Sequence, residues 1–211
     1  MNAPVGPGVP AGGGRMEQLE VEGVWRFLPN VLKDDRGEFT EWFRSEPFAL
    51  NVGHWLALGQ ANLSVSRAGV VRGIHFADVP PGQAKWVCCV RGAALDVAVD
   101  VRLGSPTFGR WTANRIDPDR RQVIYLPEGV GHAFMALDDD TTVVYLCSQP
   151  YDGARERAVS PVDPEIGIEW PTDRPIVLSP KDTHAPNLKE AAERGILPSY
   201  EACRRYAKEL T

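Results

Sequence analysis

The sequence predicts an all-β protein, an antiparallel sandwich or barrel followed by short helices. Short apolar runs succeed one another from about Val24 to Val144, and Gly, Pro and Asp turn signals separate them. No helical period interrupts this stretch, so strands account for it best. Helical patterns occur only near the end of the chain, at Leu188–Arg194 and Ser199–Leu210, with Pro198 between them.

Each predicted strand is an apolar run bounded by a turn. The turns include Arg91-Gly92, Gly104-Ser105-Pro106 and Asp138-Asp139-Asp140. In chain order, the predicted strands are Gly37–Phe43, Gln60–Ser66, Val70–His75, Lys85–Arg91, Ala94–Val101, Gly109–Asn114, Gln122–Leu126, His132–Ala136 and Val143–Ser148.

The composition predicts one globular domain. The chain has 211 residues, 43% apolar and 24% charged, and a formal net charge of −5. Because no long run of Lys or Arg is present, we expect no nucleic-acid partner. No apolar stretch approaches the roughly 20 residues that span a bilayer, so we expect no membrane partner. The Gly- and Pro-rich residues 1–15 predict a disordered leader, and residues 16–211 a single domain that includes the helical tail.

The four cysteines, Cys88, Cys89, Cys147 and Cys203, predict a cytoplasmic protein. Cys88 and Cys89 are adjacent, which suits neither a disulfide framework nor a metal site. Both lie in an apolar run, so we expect buried free thiols, as a reducing compartment allows.

The strand Gln60–Ser66 alternates polar and apolar side chains. Because alternate side chains lie on opposite faces, one face of this strand is polar throughout. That face is either turned to water or, in a small barrel, lines an internal ligand cavity. Its members are Gln60, Asn62, Ser64 and Ser66.

The strand Leu95–Val101 places Asp96 and Asp100 on one face, opposite valines. Two such carboxylates are usually solvated. Inside a cavity they would instead be partly buried and neutralised, because an unpaired buried charge is costly. Lys85 and Arg72 lie on neighbouring segments and are the expected partners in that case.

Gly73 lies between two candidate functional residues, Arg72 and His75. Strict alternation puts these two side chains on opposite faces of their strand. A bulge at Gly73 would shift the phase and bring them to the same face.

The histidine pattern argues against a metal site. A metal-binding barrel of this size usually offers a His-x-His pair, but Ala77 stands two residues after His75. His75 and His132 alone give too few ligands. We expect His54 and His184 to be structural.

A series of short motifs adds a resemblance to a known family. The motifs are Asp35-Arg36-Gly37-Glu38-Phe39, Val71-Arg72-Gly73-Ile74-His75, Pro80-Pro81-Gly82-Gln83-Ala84-Lys85, Arg91-Gly92, Asp96-Val97-Ala98-Val99-Asp100, Gly104-Ser105-Pro106-Thr107-Phe108-Gly109, Gly131-His132-Ala133-Phe134, Asp163-Pro164, Ile168-Glu169-Trp170-Pro171 and Ser179-Pro180-Lys181-Asp182. In this order, over roughly Val21 to Asp182, they resemble the dTDP-4-dehydrorhamnose 3,5-epimerase family. Many ordered motifs are more specific than one. The resemblance implies a jelly-roll (cupin) fold.

The resemblance also implies an activity on a dTDP-linked 4-keto-6-deoxyhexose. The ketone at C4 acidifies the protons at C3 and C5, and returning a proton to the opposite face inverts the carbon. The reaction needs a base, a group that stabilises the oxyanion and an acid on the other face. It needs no metal and no cofactor. By resemblance, the base is His75, its carboxylate partner is Asp182, the lysine near the C4 oxygen is Lys85 and the opposite acid is Tyr145.

Substrate-binding residues follow from the same resemblance. Arg36 and Arg72 look like the family's diphosphate arginines, whose forked donors suit phosphate. Tyr151 resembles an aromatic that stacks on thymine. In this family the segment with Arg36 comes from the neighbouring subunit, so the resemblance implies a homodimer. The other matched positions, near the nucleotide or the sugar, are Glu41, Gln60, Asn62, Asp96 and His132.

One departure from the family pattern concerns the residues after the proposed base. General members tend to have an aromatic residue and then Gln, whereas this chain has Phe76 and Ala77. In this it looks more like epimerases of antibiotic deoxysugar pathways, of which some act at C3, some at C5 and some at both. Two alternatives stay open: a sugar-nucleotide 3,4-ketoisomerase and a non-catalytic sugar- or nucleotide-binding jelly roll.

Overall fold

The structure, a computed structural model, describes residues 13–171 and 173–211. These residues form the all-β jelly roll that the sequence predicts, with two antiparallel sheets face to face and short helices outside them. The strands are β1 (Gly14–Gln18), β2 (Trp25–Pro29), β3 (Val31–Asp34), β4 (Gly37–Thr40), β5 (Gln60–Ser66), β6 (Val71–Ala77), β7 (Lys85–Arg91), β8 (Ala94–Val99), β9 (Trp111–Ile116), β10 (Val123–Leu126), β11 (Gly131–Ala136), β12 (Thr141–Cys147) and β13 (Glu156–Ala158). The helices are α1 (Ser45–Val52), α2 (Pro180–Thr183), α3 (Leu188–Glu193) and α4 (Tyr200–Glu209).

The chain crosses repeatedly between the two sheets. The six-stranded sheet has the order β1-β2-β10-β7-β12-β5, and the five-stranded sheet has the order β13-β6-β11-β8-β9. Consecutive strands such as β7 and β8 therefore lie in different sheets, as the jelly-roll topology requires. The β3–β4 hairpin forms a separate two-stranded sheet.

The apolar core has three parts, one between the sheets and one outside each sheet. Between the sheets, Ile124 packs near Phe134. Outside the five-stranded sheet, Met135 packs in one cluster with Trp170 and with Leu188 of α3. Because this sheet is covered on both faces, its strands are apolar on both, which is why β11 is buried along its whole length.

The third part of the core lies outside the six-stranded sheet and explains α1. Phe48 of α1 packs edge-on against Tyr125, with ring centroids 4.9 Å apart, and near Trp86 at 5.7 Å. The sequence analysis missed this helix, which is a correction to the prediction of helices only at the carboxyl end. It is eight residues long, its N-cap residue Arg44 provides no side-chain cap, and its one clear signal is the left-handed C-cap Gly53.

All the predicted strands are present, with ends shifted by three residues or fewer. The largest shift concerns the predicted strand Gly37–Phe43, because β4 ends at Thr40. Four strands were not predicted: β1, β2, β3 and β13. They are three to five residues long, so alternation along them is too brief to detect.

The predicted leader overlaps β1. Residues 1–12 lie outside the described part, but Gly14 and Arg15 belong to β1 and pair with Pro29 and Leu28. The predicted boundary after residue 15 is therefore wrong at these two positions. A side chain at Gly14 would place its Cβ 2.4 Å from the Leu28 carbonyl oxygen, so the strand pairing requires glycine here.

The two predicted C-terminal helices are confirmed as α3 and α4. The Asn187 side chain accepts from the Glu190 N–H in a capping box, and Ser199 caps α4. Within the described residues, no helix is long and apolar enough to cross a bilayer. The prediction of buried free thiols is also confirmed, and burial raises the pKa of Cys88 to about 12.

Candidate active site

A cavity of about 400 Å³ opens between the two sheets. Six of the residues singled out in the sequence line it: Arg72, His75, Lys85, His132, Tyr145 and Asp182. β6 and β11 of the five-stranded sheet supply one wall, β7 and β12 of the six-stranded sheet supply the other, and the short helix α2 closes one side.

The bulge predicted at Gly73 is present, and it brings Arg72 and His75 into the same cavity. His132 pairs with His75 and Phe134 with Arg72, so two steps along β11 match three along β6. Gly73 has φ +123°, and a Cβ there would lie 2.4 Å from the His132 carbonyl oxygen. Only glycine fits this conformation and this close approach.

His75 and Asp182 form a hydrogen-bonded pair, although 107 positions separate them. His75 Nε2 lies 2.6 Å from Asp182 Oδ1. Asp182 is 2% exposed, and the Ser179 hydroxyl donates to its other oxygen at 2.9 Å. The pair therefore fixes the ring of His75 and leaves Nδ1 as the nitrogen available to accept a proton.

The charge on Asp182 is stabilised where it lies. Burial alone raises the pKa of this carboxyl, but hydrogen bonds from His75, Ser179 and the Gly73 N–H outweigh burial and hold the pKa below 3.8. The carboxylate is therefore ionised at neutral pH and can stabilise an imidazolium on His75.

Lys85 and Tyr145 lie on the opposite wall. In the pairing of β12 with β7, Cys147 faces Lys85 and Tyr145 faces Val87, so the two side chains share the inward face of neighbouring strands. Lys85 is 8% exposed. Burial raises the pKa of the half-buried Tyr145, which outweighs the opposing effects of Arg72 and an Asn62 hydrogen bond. The hydroxyl therefore keeps its proton at neutral pH.

Asp96 lies in β8, and Asp100 follows directly after it. Both carboxylates are buried and paired, but their partners are not Lys85 and Arg72, as was expected. His132 Nε2 lies 2.7 Å from Asp96 Oδ2. Asp100 forms two hydrogen bonds of 2.8 Å with Arg102. The predicted partners are wrong for two reasons. Asp100 pairs with Arg102, which is only two residues away in the chain. Asp96 pairs with His132, because β11 lies directly beside β8.

The polar face of β5 turns inward, which excludes the alternative that this face is turned to water. Gln60 and Asn62 are half-buried, whereas Leu63 and Val65 on the other face are 64% and 54% exposed. The Gln60 amide NH₂ donates a hydrogen bond to Asn62 Oδ1 at 2.6 Å, and Gln60 Oε1 accepts one from the Tyr151 N–H at 2.8 Å. Gln60 and Asn62 are not among the residues that line the first cavity, and Tyr151 lines a second one of about 470 Å³.

The structure does not bring Arg36 or Glu41 to the cavity within one chain. Arg36 lies at the tip of the β3–β4 hairpin, where its side chain is 90% exposed and pairs with Asp34 at 2.5 Å. Glu41 pairs with Arg44 at 3.7 Å.

The sequence analysis named Ser179 and Lys181 within a motif but gave neither a role in the site. Ser179 caps α2 by accepting from the Asp182 N–H at 3.1 Å, and it also donates to the Asp182 side chain. Lys181, between them, lines the cavity. A Ser followed three residues later by an acid is a helix N-terminus signal, and it was available at Ser179-Pro180-Lys181-Asp182.

The other histidines have the structural contacts expected of them. His54 Nδ1 lies 3.0 Å from the Trp55 carbonyl oxygen, and His184 Nδ1 lies 2.7 Å from that of Pro180. Across residues 13–171 and 173–211, no group of three or more His, Cys, Asp or Glu side chains is arranged to hold a metal ion.

Comparison with known proteins identifies the family to which this site belongs. The family model described as dTDP-4-dehydrorhamnose 3,5-epimerase matches residues 18–190. The chain belongs to the dTDP-4-dehydrorhamnose 3,5-epimerase family. A Streptomyces antibioticus relative, named as a probable dTDP-4-oxo-2,6-dideoxy-D-glucose 3,5-epimerase, is 56% identical over 88% of this chain and 92% of its own.

Two solved structures of the family are closely similar. NovW of Streptomyces spheroides, a 4-keto-6-deoxy sugar epimerase from the novobiocin biosynthetic gene cluster, is 52% identical with a TM-score of 0.88, over 92% of this chain and 98% of that one. ChmJ of Streptomyces bikiniensis, a 3'-monoepimerase solved with dTDP-quinovose, is 48% identical with a TM-score of 0.89, over 91% and 97%. The resemblance inferred from the motifs is confirmed, as is its antibiotic deoxysugar branch.

Ala77, where this chain departs from the family pattern, lines the same second cavity as Tyr151. Ala77 lines this second cavity together with Gln83, Gln149 and Glu156.

Proposed function

We propose that this protein is an epimerase that inverts C3, C5 or both in a dTDP-linked 4-keto-6-deoxyhexose. Family membership gives the class of reaction, and the cavity between the sheets gives residues for each role. The proposal assigns His75 as the base, Asp182 as the residue that positions it, Lys85 as the oxyanion-stabilising cation and Tyr145 as the acid.

The single observation that carries the proposal is that His75 and Tyr145 belong to opposing sheets. His75 lies on β6 of the five-stranded sheet and Tyr145 on β12 of the six-stranded sheet, and both line one cavity. A flat sugar intermediate held between the sheets would have a proton acceptor on one face and a donor on the other. Inversion requires this arrangement, because a proton returned from the same side restores the original centre.

Inversion moves two protons, one from the sugar to His75 and one from Tyr145 to the sugar. His75 Nδ1 takes a proton from the carbon beside the ketone, and the electrons of the broken C–H bond move to the C4 oxygen. The imidazolium is stabilised by the Asp182 carboxylate. Tyr145 then gives its proton to the opposite face of the same carbon, and exchange with solvent restores the hydroxyl and the neutral imidazole.

Lys85 supports the intermediate enolate. Lys85 is 8% exposed and lines the cavity, and a cation in such a buried setting attracts a developing negative charge more strongly than one at the surface. No group on this path changes oxidation state, so we expect no cofactor, and the roles are filled without a metal.

Proton-resolved NMR in heavy water tests the proposal. Incubated with dTDP-4-keto-6-deoxyglucose, the wild type should exchange the hydrogen at C3, C5 or both and invert that carbon. His75→Ala should lose the exchange while its affinity for dTDP stays within about threefold of wild type. A wild type that binds dTDP without exchange would be a binding protein, and movement of the ketone to C3 would identify a ketoisomerase. Exchange at the wild-type rate in His75→Ala would remove His75 as the base.

The metal-free part of the proposal has its own test. We expect a chelator to leave the exchange rate unchanged. A loss of exchange that zinc or iron restores would contradict it.

We also propose a homodimer in which Arg36 acts on the partner's cavity. Arg36 is exposed at the tip of a hairpin that carries two exposed apolar side chains, Leu32 and Phe39, each 63% exposed. Leu63 and Val65 on the edge strand β5 add apolar surface. Exposed apolar surface of this kind is typical of subunit contacts.

A mixing experiment tests this arrangement. Arg36→Ala and His75→Ala are each expected to be weakly active or inactive. If Arg36 acts across the interface, mixed dimers contain one site with both residues intact, and activity should recover to about a quarter of wild type. No recovery from a mixture shown to exchange subunits would contradict the shared site.

The proposed setting is the cytoplasm, in deoxysugar biosynthesis. The buried free thiols Cys88, Cys89, Cys147 and Cys203 support a reducing compartment. The substrate and product are sugar nucleotides, so the partner is a small molecule, with no nucleic acid and no membrane involved.

A further inference from the structure

Lys85 lies at the end of the six-stranded sheet, where its position depends on the backbone. It is the first residue of β7, and Leu126 of β10 and Cys147 of β12 pair with it on either side. Across residues 13–171 and 173–211, its ammonium group forms no hydrogen bond or ion pair. The end of a strand is also the part that opens most readily. Whatever holds the start of β7 therefore sets where this cation lies.

Ser148 binds both backbone groups of Ala84, the residue before Lys85. The Ala84 N–H donates to Ser148 Oγ at 2.8 Å, and the Ser148 N–H donates to the Ala84 carbonyl oxygen at 3.0 Å. Because Ser148 directly follows β12, this contact continues the pairing of β12 with β7 one step past Lys85. It closes the end of the strand that carries the lysine.

Glu128 orients the hydroxyl that makes this contact. The Ser148 hydroxyl donates to Glu128 Oε1 at 3.2 Å, and because a hydroxyl has a single proton, its lone pairs are left for the Ala84 N–H. Glu128 follows β10 by two residues, on the other side of β7 from Ser148. The two side chains therefore join the strands on either side of β7, across the end at which Lys85 lies.

The buried setting of Glu128 is costly for a carboxyl group. Glu128 is 6% exposed, and burial raises its pKa, which hydrogen bonds from its own N–H and from Ser148 and the influence of His54 only partly offset. Its stem also packs closely, since a Cβ on Gly82 would lie 2.7 Å from Glu128 Cβ. Glu128 lines neither cavity of the candidate site, so it can affect the reaction only through the residues it holds.

We propose that Glu128 and Ser148 are positioning residues for Lys85. The hydrogen bonds from Ala84 through Ser148 to Glu128 fix the start of β7 and so hold the Lys85 ammonium group where the C4 oxygen acquires its negative charge. This inference rests on the proposed function, because it takes Lys85 to be the cation that stabilises the enolate.

The test removes each link and measures both catalysis and binding. Ser148→Ala removes the hydroxyl, and Glu128→Met removes the acceptor but keeps a side chain of similar length. Each should lower kcat for hydrogen exchange about tenfold, since a misplacement of about 1 Å can cost about 10²-fold and a loosened strand end is misplaced only part of the time. The Kd for dTDP should stay within about twofold of wild type, because dTDP has no sugar to meet Lys85. Glu128→Gln, which keeps an acceptor oxygen, should stay within about threefold in kcat.

Three further measurements separate positioning from a general effect on the fold. The control Ser160→Ala removes a partly buried hydroxyl that also accepts from a backbone N–H, that of Val162, and lines neither cavity; it should match wild type. Hydrogen–deuterium exchange of Ser148→Ala should show faster amide exchange in residues 85–87 and no change in β11. Ser148→Ala combined with Lys85→Met should be no slower than Lys85→Met alone, because the lysine through which Ser148 acts is absent.

Each result decides the inference. A kcat within twofold of wild type in Ser148→Ala and Glu128→Met would overturn it, as would unchanged amide exchange in residues 85–87. A loss of dTDP affinity equal to the loss in kcat would place the effect at the nucleotide, and a further tenfold loss in the double variant would give Ser148 a role apart from Lys85; either would overturn it. If Ser148→Ala does not fold, the two Glu128 variants decide, and equal losses in Gln and Met would refute the acceptor role.

Failure of the proposed function gives a different result. A wild type without hydrogen exchange would refute that function itself, whereas normal exchange in both the wild type and the Ser148 and Glu128 variants refutes only this inference.

Discussion

Replacing Asp182 by asparagine should stop proton abstraction while keeping the shape of the site. The carboxylate accepts from His75 through one oxygen and from the Ser179 hydroxyl through the other, and the Gly73 N–H adds to its stabilisation. An asparagine has only one oxygen for these donors. Because the Gly73 N–H can only donate, whereas His75 Nε2 can accept when the ring proton is on Nδ1, we expect the asparagine oxygen toward Gly73 and Ser179 and the amide NH₂ toward His75.

That orientation changes the proton on the histidine. Facing an NH₂ group, His75 Nε2 must accept rather than donate, so the ring proton moves to Nδ1. Nδ1 is the atom that the proposed mechanism needs unprotonated. The variant would thus retain the imidazole at the same place in the wrong tautomer, without the charge that stabilises its protonated form.

The magnitude follows from the role that is lost. General base catalysis contributes roughly 10²–10⁴-fold, and each factor of ten is about 1.36 kcal/mol. We therefore expect Asp182→Asn to slow hydrogen exchange by about 10²–10⁴-fold, or roughly 3–5 kcal/mol in the barrier. The measurement is the NMR exchange rate at saturating substrate, with dTDP affinity as the measure of an intact site.

A control distinguishes positioning from a general effect of lost charge. Asp173→Asn removes a carboxylate whose side chain is 63% exposed and which pairs with its neighbour Arg174. It should leave exchange unchanged. If Asp182→Asn exchanges within tenfold of wild type while it binds dTDP normally, the alignment of His75 by Asp182 is not needed and the reasoning fails.

Three further variants test separate parts of the structure. Tyr145→Phe should keep hydrogen removal by the base but slow inversion by about 10²–10⁴-fold, since the opposite-face acid is gone; NMR separates exchange from inversion, and equal losses in both would contradict the assigned role. Asp100→Asn should destabilise the fold by about 3–5 kcal/mol in urea denaturation, because it leaves Arg102, 5% exposed, as an unpaired buried charge. Gly73→Ala should lower the free energy of unfolding by about 2–4 kcal/mol, because the backbone is strained and the new Cβ clashes with β11. Gly104→Ala, also at positive φ but with open space around it, should lower it by about 1 kcal/mol. Equal losses would refute the packing argument.

The Asp100 variant also has an expected pH dependence. Burial raises the pKa of Asp100, but the Arg102 guanidinium and the hydroxyls of Ser105 and Thr107 hold it below 3.8. A lowered folded-state pKa stabilises the protein above pH 3.8 and loses that contribution as the pH falls through the lowered value. Wild-type stability should therefore fall in acid below pH 3.8, and Asp100→Asn should show a shallower fall. An equal acid slope in both proteins would contradict this assignment.

Local pattern predicted the strands well because alternation is a property of each segment alone. The polar face of β5 is an example: four polar side chains at every second position predicted one wholly polar face, although only the structure shows that this face turns inward. The same reasoning failed for Asp96 and Asp100, because their partners depend on which strands become neighbours. His132 lies beside Asp96 through the pairing of β11 with β8, and no local signal contains that pairing.

The site itself came mainly from the family resemblance. Nothing in the spacing of His75 and Asp182 indicates that they meet, since 107 positions lie between them. The resemblance gave roles to the charged and aromatic groups but none to Ser179, whose hydroxyl donates to the second oxygen of the Asp182 carboxylate. Such supporting residues follow from the geometry of the short helix and are read from the structure.

The bulge at Gly73 links the sequence to the chemistry. A regular strand would point Arg72 away from the cavity that His75 faces, and the proposed phosphate-binding arginine and the proposed base would lie on opposite sides of the sheet. The extra residue puts both side chains on one side, and the missing Cβ lets β11 come close enough to set His132 beside His75. The Gly73 N–H also stabilises the Asp182 carboxylate. One glycine therefore aligns Arg72, His75 and Asp182, the side chains proposed to bind the ligand, act as the base and position the base. A side chain at Gly73 should weaken binding of dTDP as well as turnover.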